Sequence, residues 1–415
     1  MKFIYKLLSL SLAIACLSGC SAANTEIASS SAATATVTPT TDSTEVPASN
    51  NVFTSAGDGL YVTTDSGIYE LQTVFPDSAN IFYTDANTKE RIFLCANPNC
   101  THADESCPSY IATPSAMFPP MLLRVGDQLL VVFTEATDSS NPHGMLMNMD
   151  GSNRRTVFEL ASNQYMQGGF CTSGNDLYFD LYEINDSGNV TYQLWYVSFE
   201  NGTSEKVMDL GSDSDHYSLC DGANNELCFN HVSSDGISYC MYNPQSKTIS
   251  DPFFVDSSVS GNSMIQDGYL FVLDEQASSV QRIRLSDKEQ ASASFTVKEG
   301  FGAPSMITEA QTTASDIPTD GSYGVCSYIL DFGTRNCTEF TLQTPYNNRP
   351  VYVLTTIGDA CYVATDYKTY TPTSVSEDGT VSNFDYVANI YAFITKQDYI
   401  NSNQNGYSMV KDAFE

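Results

Sequence analysis

From residue 57 onward one short pattern keeps returning: a Gly, Asp or Asn turn that feeds an apolar-aromatic strand. It reads Gly57-Asp58-Gly59-Leu60-Tyr61-Val62, Gly126-Asp127-Gln128-Leu129-Leu130-Val131 and Gly174-Asn175-Asp176-Leu177-Tyr178-Phe179. It recurs as Asn224-Asn225-Glu226-Leu227-Cys228-Phe229, Asp267-Gly268-Tyr269-Leu270-Phe271-Val272 and Gly358-Asp359-Ala360-Cys361-Tyr362-Val363. Counted on Leu60, Leu129, Leu177, Leu227, Leu270 and Cys361, the steps are 69, 48, 50, 43 and 91 residues. The last step is about two ordinary ones, so one copy is degenerate. A second series of strand-turn-strand elements turns near Asp85, Asp150, Glu200, Asn243, Asp287, Asp331 and Thr395, with steps of 65, 50, 43, 44, 44 and 64. The copy hidden in the first series shows here, at 325–331. The two long steps contain a Cys/His-bearing insert at 95–119 and a Thr/Ser-rich stretch at 370–383.

Short runs such as Leu129-Leu130-Val131-Val132-Phe133 dominate the chain, and long amphipathic helical patterns are scarce. With 25 Tyr and 22 Phe, this is the signature of many short strands in an all-β protein. Seven units of about 45 residues, four strands each, are what a β-propeller requires. A single such sheet cannot bury both faces; neighbouring blades cover them, and a closed ring leaves no bare terminal blade. Seven blades fit the steps best, with six or eight as alternatives. A pair of β-sandwiches would not impose a uniform step. Val62, Val131, Phe179, Phe229 and Val272 alternate with outward partners and are expected between blades. Tyr407-Ser408-Met409-Val410 is a candidate late strand for closing the ring, with a frayed tail as the equal alternative.

The N-terminus reads as an export signal. Lys2 and Lys6 precede an apolar run from Leu7 to Leu17 that is too short to span a bilayer. The run ends in Leu17-Ser18-Gly19-Cys20, which resembles the bacterial lipobox. That resemblance implies cleavage of residues 1–19 and lipid on Cys20. Residues 20–51, rich in Ser, Thr and Ala, hold too little apolar surface to fold and read as a disordered tether with a reach of roughly 30 Å. The propeller domain is then 52–415. After loss of the two signal lysines the net charge is −33. Such a surface repels phosphate backbones and anionic headgroups, which excludes nucleic acid and any membrane contact other than the lipid.

The Gly-Asp-x-Leu openings and the stretch Leu146-Met147-Asn148-Met149-Asp150-Gly151-Ser152-Asn153 resemble the TolB-like and related propellers of bacterial lipoproteins, over roughly 52–400. Asp150-Gly151 reads as a turn former rather than a catalytic acid.

The densest chemical signal is Cys95-x4-Cys100-x-His102-x4-Cys107. Compact loops at 97–99 and 103–106 can bring the four side chains together, and three thiolates with one imidazole match a closed tetrahedral zinc set. Disulfide bonding stands equally, because export permits it and the spacing is not a standard zinc-finger step. The segment Leu94, Cys95, Pro98, Cys100, His102, Asp104 and Cys107 is similar to one found after the first strands of many propeller lipoproteins. The remaining cysteines of the mature chain, Cys171, Cys220, Cys228, Cys240, Cys326, Cys337 and Cys361, fall mostly in apolar strand positions and read as buried thiols.

No nucleophile elbow, H-E-x-x-H or Walker loop is present in the sequence. Of the other histidines, His143 and His216 are expected in polar turns and His231 at a strand end. Asp213-Ser214-Asp215 is a weak calcium candidate. The function expected is therefore a non-enzymatic, lipid-anchored module on the extracytoplasmic face, binding a protein or glycan. The insert 95–119 and the loop 366–387, with Tyr367, Tyr370 and Phe384, are its candidate recognition surfaces. The alternatives are a polysaccharide hydrolase or lyase working in the central channel, and an envelope scaffold.

Overall fold

A computed structural model describes residues 53–55, 59–75, 78–113, 118–256, 263–266, 268–274, 277–301, 306–308, 313–316, 325–370, 373–375, 381–383 and 386–413. The expected signal, Cys20 and the tether lie outside the described residues. The chain divides into two compact units, one of Thr44–Tyr367 with Asn389–Glu415 and the other of Met1–Ser43 with Lys368–Ala388.

The fold is all-β, of the propeller class. After β1 (Thr54–Ser55), the strands fall into successive four-stranded antiparallel meanders. The first is β2 (Tyr61–Thr63), β3 (Gly67–Phe75), β4 (Ser78–Asp85) and β5 (Arg91–Phe93), with β6 (Tyr110–Ala112) also on β4. The second is β7 (Met121–Val125), β8 (Gln128–Phe133), β9 (His143–Asn148) and β10 (Arg155–Glu159). The third and fourth run on in one sheet. They comprise β11 (Gln164–Ser173), β12 (Asp176–Ile184), β13 (Val190–Ser198) and β14 (Thr203–Ser212), then β15 (Asp215–Ala223), β16 (Glu226–Ser233), β17 (Gly236–Asn243) and β18 (Thr248–Ile249). There β19 (Phe254–Asp256) also pairs with β17. The fifth is β20 (Ser263–Gln266), β21 (Tyr269–Asp274), β22 (Ser279–Arg284) and β23 (Gln290–Ser294), and the sixth β24 (Met306–Thr308), β25 (Thr313–Asp316), β26 (Cys326–Asp331) and β27 (Asn336–Phe340). The last comprises β28 (Val353–Ile357) and β29 (Ala360–Tyr370), then β32 (Tyr386–Thr395) and β33 (Ser408–Met409). Between β29 and β32, β30 (Thr373–Val375) pairs with β31 (Val381–Asn383).

Both repeated turns have a local physical cause. The openings at 126–127, 174–175, 224–225 and 358–359 are two-residue hairpin loops between the first and second strands of a meander, and Gly268 stands just before β21, the second strand of the fifth. Gly126, Gly174, Asn224, Gly268 and Gly358 take positive φ there, which Gly and Asn tolerate best. The Leu60 copy is not equivalent. It leads into β2, the first strand of its meander, and Leu60 stays exposed while Leu129, Leu177, Leu227 and Leu270 are buried. The second series does fall between third and fourth strands. Asp85, Asp150, Asn243, Asp287 and Asp331 each accept backbone N–H groups two or three residues on through Oδ1, at 2.8–3.1 Å. A carboxylate or amide thus closes each turn before its outer strand begins.

Apolar clusters fill the seams between successive meanders. Val62 and Val131 meet between the first and second, Phe179 between the second and third, and Phe229 between the third and fourth. Val272 packs between the fourth and fifth. Another cluster joins the last meander to the first, through Ile68, Tyr362, Tyr391, Phe393 and Val410. At this seam Arg91 is fully buried. Its Nε donates to Glu70 Oε2 at 3.0 Å, Nη1 to Asp412 Oδ1 at 3.1 Å and Nη2 to Gln72 Oε1 at 2.6 Å. The guanidinium lies 3.7 Å over the Phe82 ring, and Tyr391 donates to Glu70 Oε1 at 2.5 Å. The C-terminal segment bonds to the first sheet as well, Lys411 N–H to Lys89 O and Arg91 N–H to Lys411 O. Of the candidate stretch 407–410, Ser408–Met409 forms a late strand, β33, paired with β32 in the last meander.

Strand β1 does not join the first meander. It pairs antiparallel with β11, Thr54 opposite Thr172 and Ser55 opposite Cys171. Phe53 N–H donates to Asn224 O at 2.7 Å, and its ring meets Tyr178 edge-on with centroids 5.3 Å apart. Gly222 admits it: a Cβ there would stand 2.5 Å from Phe53 Cβ. Near this point Asp180 is buried with Oδ2 accepting from Leu219 N–H at 3.1 Å, while Oδ1 has no partner. Burial lifts its carboxyl to about 7, against a lowering effect led by the Leu219 N–H.

Cys171, Cys228, Cys240, Cys326 and Cys361 are buried, and Cys220 and Cys337 partly so. Burial pushes the thiols of Cys220 and Cys240 up to about 12, so both stay protonated as small hydrophobes. Tyr367 and Tyr370 belong to β29 rather than to a loop, and Tyr367 packs edge-on against Tyr346 with centroids 5.5 Å apart. Phe384 lies outside the described residues.

Candidate metal centre

The insert splits the outer strand of the first meander into β5 and β6. Both pair with the same edge of β4, β5 with Phe82–Thr84 and β6 with Ser78–Asn80. Ile81 between them serves both ends of the loop. Its N–H donates to Ser109 O at 2.8 Å, and its C=O accepts from Leu94 N–H at 2.9 Å. Cys95 and Cys107 are therefore drawn together by ordinary sheet pairing. Inside the loop, Cys100 N–H closes on Asn97 O at 3.1 Å and Cys107 N–H on Asp104 O at 3.0 Å. These are the two compact turns expected from Asn97-Pro98-Asn99 and Asp104-Glu105-Ser106.

The result is a convergence of Cys95, Cys100, His102 and Cys107, whose ligand atoms all lie within 4.8 Å of one another. Among the described residues no other set of three or more His, Cys, Asp or Glu converges in this way. His102 Nδ1 stands 3.2 Å from Cys107 Sγ, and His102 N–H donates to Cys100 Sγ at 3.4 Å. The imidazole stacks flat on Phe93, centroids 4.0 Å apart and planes 7° from parallel. His102 holds a positive φ of 56°, and its carbonyl accepts from Asn80 Nδ2 at 3.1 Å. Buried Asn80 also donates to Ser109 Oγ at 3.0 Å, and Ser109 Oγ sits 3.1 Å from Cys107 Sγ. One polar chain thus supports both the histidine and the cysteine.

The electrostatics favour a first thiolate at Cys107. Burial alone would raise its thiol, but hydrogen bonds from Ser109, His102 and Cys100 outweigh it and bring the group down to about 6. Cys95 is pushed up to about 11, by burial first and then by the neighbouring cysteines. A tetrahedral zinc with Zn–S of about 2.3 Å sets its ligand atoms roughly 3.5–3.8 Å apart. The observed spread needs only a small contraction to meet that, so the donor set fits the metal. The four cluster members are those the spacing singled out. Asn80, Ser109, Phe93 and Arg154 carry no sequence signal, because sheet pairing and the seam bring them in.

The insert also docks on the second meander. Arg154, just before β10, donates from Nη1 to Tyr110 O at 2.6 Å and from Nη2 to Pro108 O, while Nε holds Gly151 O at 3.1 Å. The Asp150-Gly151 turn fits against Pro108 because Gly151 has no side chain: a Cβ there would stand 2.3 Å from Pro108 O.

The remaining candidates are dispersed. His143 opens β9 and is not in a turn. It stacks on Phe133 with centroids 4.4 Å apart, and its Nδ1 is 2.7 Å from Asn141 O. His216 lies in β15, not in a turn, flat against Tyr192 with centroids 3.9 Å apart. His231 is inside β16 and pairs its Nε2 with Asp215 Oδ1 at 2.7 Å, so that carboxylate serves a histidine.

No family model and no curated protein matches this chain. Among solved structures, a putative 6-phosphogluconolactonase from Bacteroides fragilis is similar at 12% identity and a TM-score of 0.39, over 84% of this chain and 100% of its own. An oligogalacturonate lyase from Vibrio parahaemolyticus is 9% identical with a TM-score of 0.39, over 82% and 91%. A puromycin hydrolase is 11% identical with a TM-score of 0.43, over 82% of this chain and 59% of its own length. Likeness of this degree transfers no activity.

Proposed function

We propose that the chain is a lipid-anchored, extracytoplasmic propeller of seven blades in a closed ring, acting as a binding module for a protein or glycan. Its insert is held by one structural zinc on Cys95, Cys100, His102 and Cys107. The observation that carries this reading is the convergence of those four ligand atoms within 4.8 Å at the edge of a sheet. A loop with so little apolar content cannot fix its own shape, and a metal cross-link supplies that rigidity. All four positions are then filled by protein, which suits a structural role better than a catalytic one. Asp104, Glu105 and Ser106 stand exposed at its tip, an acidic surface suited to a neutral or cationic partner. Strand β1 runs along β11 beside β15, which weighs against a substrate channel on those strands.

Protein purified under reducing conditions should contain about one zinc per chain. The Cys107→Ser variant should lose the metal and become sensitive to proteolysis between 95 and 112. Metal-free wild type with a mapped disulfide at Cys95, Cys100 or Cys107 would replace the zinc reading. Glycan arrays and pull-downs then separate a sugar ligand from a protein one, while turnover of a polysaccharide would replace the binding reading.

A further inference from the structure

We propose that Arg154 is the charge partner and positioning residue of the metal centre, so that loading the insert is coupled to the seam between the first and second meanders. The inference rests on the zinc reading above. Three thiolates and one neutral imidazole around a divalent cation leave the centre with a net charge of minus one. A monoanion in a half-buried loop is costly unless a cation stands beside it. Arg154 is that cation. Its guanidinium is half-buried at the seam, and all three of its hydrogen bonds go to main-chain carbonyls, those of Gly151, Pro108 and Tyr110. Among the described residues it forms no salt bridge.

Burial disfavours the charged guanidinium, and the attractions that offset this are first the Cys107 sulfur and second the Glu105 carboxylate, which stands exposed at the loop tip. Loading adds a negative centre on the side of the stronger of these two partners. Position reinforces charge: Pro108 follows Cys107 directly, and Tyr110 opens β6, so the guanidinium grips the chain on which the Cys107 sulfur is mounted. The planar fork reaches two carbonyls in a way an ammonium does not. Gly151 lets the turn come close enough for this grip, since any side chain there meets Pro108 O.

The test is titration of the full mature protein with cobalt(II), read by its thiolate charge-transfer and ligand-field bands, and with zinc by competition against a chelator, from pH 5.5 to 8. Arg154→Gln keeps hydrogen-bonding capacity and removes the charge; Arg154→Lys keeps the charge and loses the fork. The glutamine variant should bind about 10- to 100-fold more weakly, with its loading midpoint moved to higher pH. The lysine variant should return the midpoint toward that of the wild type. A role limited to packing would leave the pH midpoint alone and would not distinguish the two. Equal affinity and equal pH profiles in all three proteins, or a lysine variant that behaves like the glutamine one, would overturn this inference alone. A wild type that loads neither metal would overturn the zinc reading and this inference with it.

Discussion

Replacing Asp180 by Asn should make the protein more stable, and increasingly so as the pH rises. The carboxyl is buried on β12, its Oδ2 takes Leu219 N–H at 3.1 Å, and its Oδ1 has no partner. Moving it from an ordinary 3.8 to about 7 means that the folded state holds a proton the unfolded chain has already released. Between these values the native state binds more protons, so stability falls as pH rises, and the loss is complete above the folded value. At about 1.4 kcal/mol per pKa unit, the ionised carboxylate costs the fold about 4 kcal/mol. The amide carries no charge and keeps the acceptor for Leu219. Urea midpoints of wild type and Asp180→Asn, taken from pH 5 to 8.5 and converted with the measured slope, give the difference directly. It should already be about 1.5 kcal/mol at pH 5, widen to most of its full value by pH 7 and change little above pH 7.5. Asp180→Leu is the control, because it strands the Leu219 N–H at a cost of about 1–3 kcal/mol that pH does not change. Parallel stability curves for wild type and the asparagine variant would refute the reasoning.

The other seams make comparable demands. Arg91→Met keeps apolar contact with Phe82 but leaves Glu70 buried without its cation, and should cost about 3–5 kcal/mol in denaturant unfolding. Arg91→Met with Glu70→Gln should recover much of that loss, and a double mutant no better than the single would place the cost in packing instead. At the N-terminus, Cys20→Ala should move the protein from the membrane fraction to the soluble one. Unchanged retention after a carbonate wash would rule out the lipid.

What the sequence made legible was the local part of the fold. Asp85, Asn243 and Asp331 announce their turns because the side chain that makes each turn also bonds within it, so the spacing survives as a count. Gly126, Gly174 and Gly358 do the same through the sign of φ. Leu60 was matched to the wrong strand because a turn followed by an apolar run looks alike before a first strand and a second. The cluster at Cys95, Cys100, His102 and Cys107 was legible as spacing within 13 residues. Its supports were not. Asn80 and Ser109 depend on β4 pairing, and Arg154 arrives from the next sheet. Phe53 was least visible of all: one aromatic residue beside a polar stretch gives no hint that it packs on Tyr178, 125 positions on.

That placement of Phe53 determines how the body would resist a pull from its leading end. Tension along the chain before residue 53 does not reach a terminal blade that could be peeled away. It loads β1 lengthwise against β11, so that the bonds around Thr54 and Ser55 must slide together rather than open one after another. The ring of Phe53 must also leave Tyr178, and its Cβ and main chain must leave the bare backbone of Gly222. The first elements to resist such a pull are thus those of the third and fourth meanders, which hold Phe53 and β1.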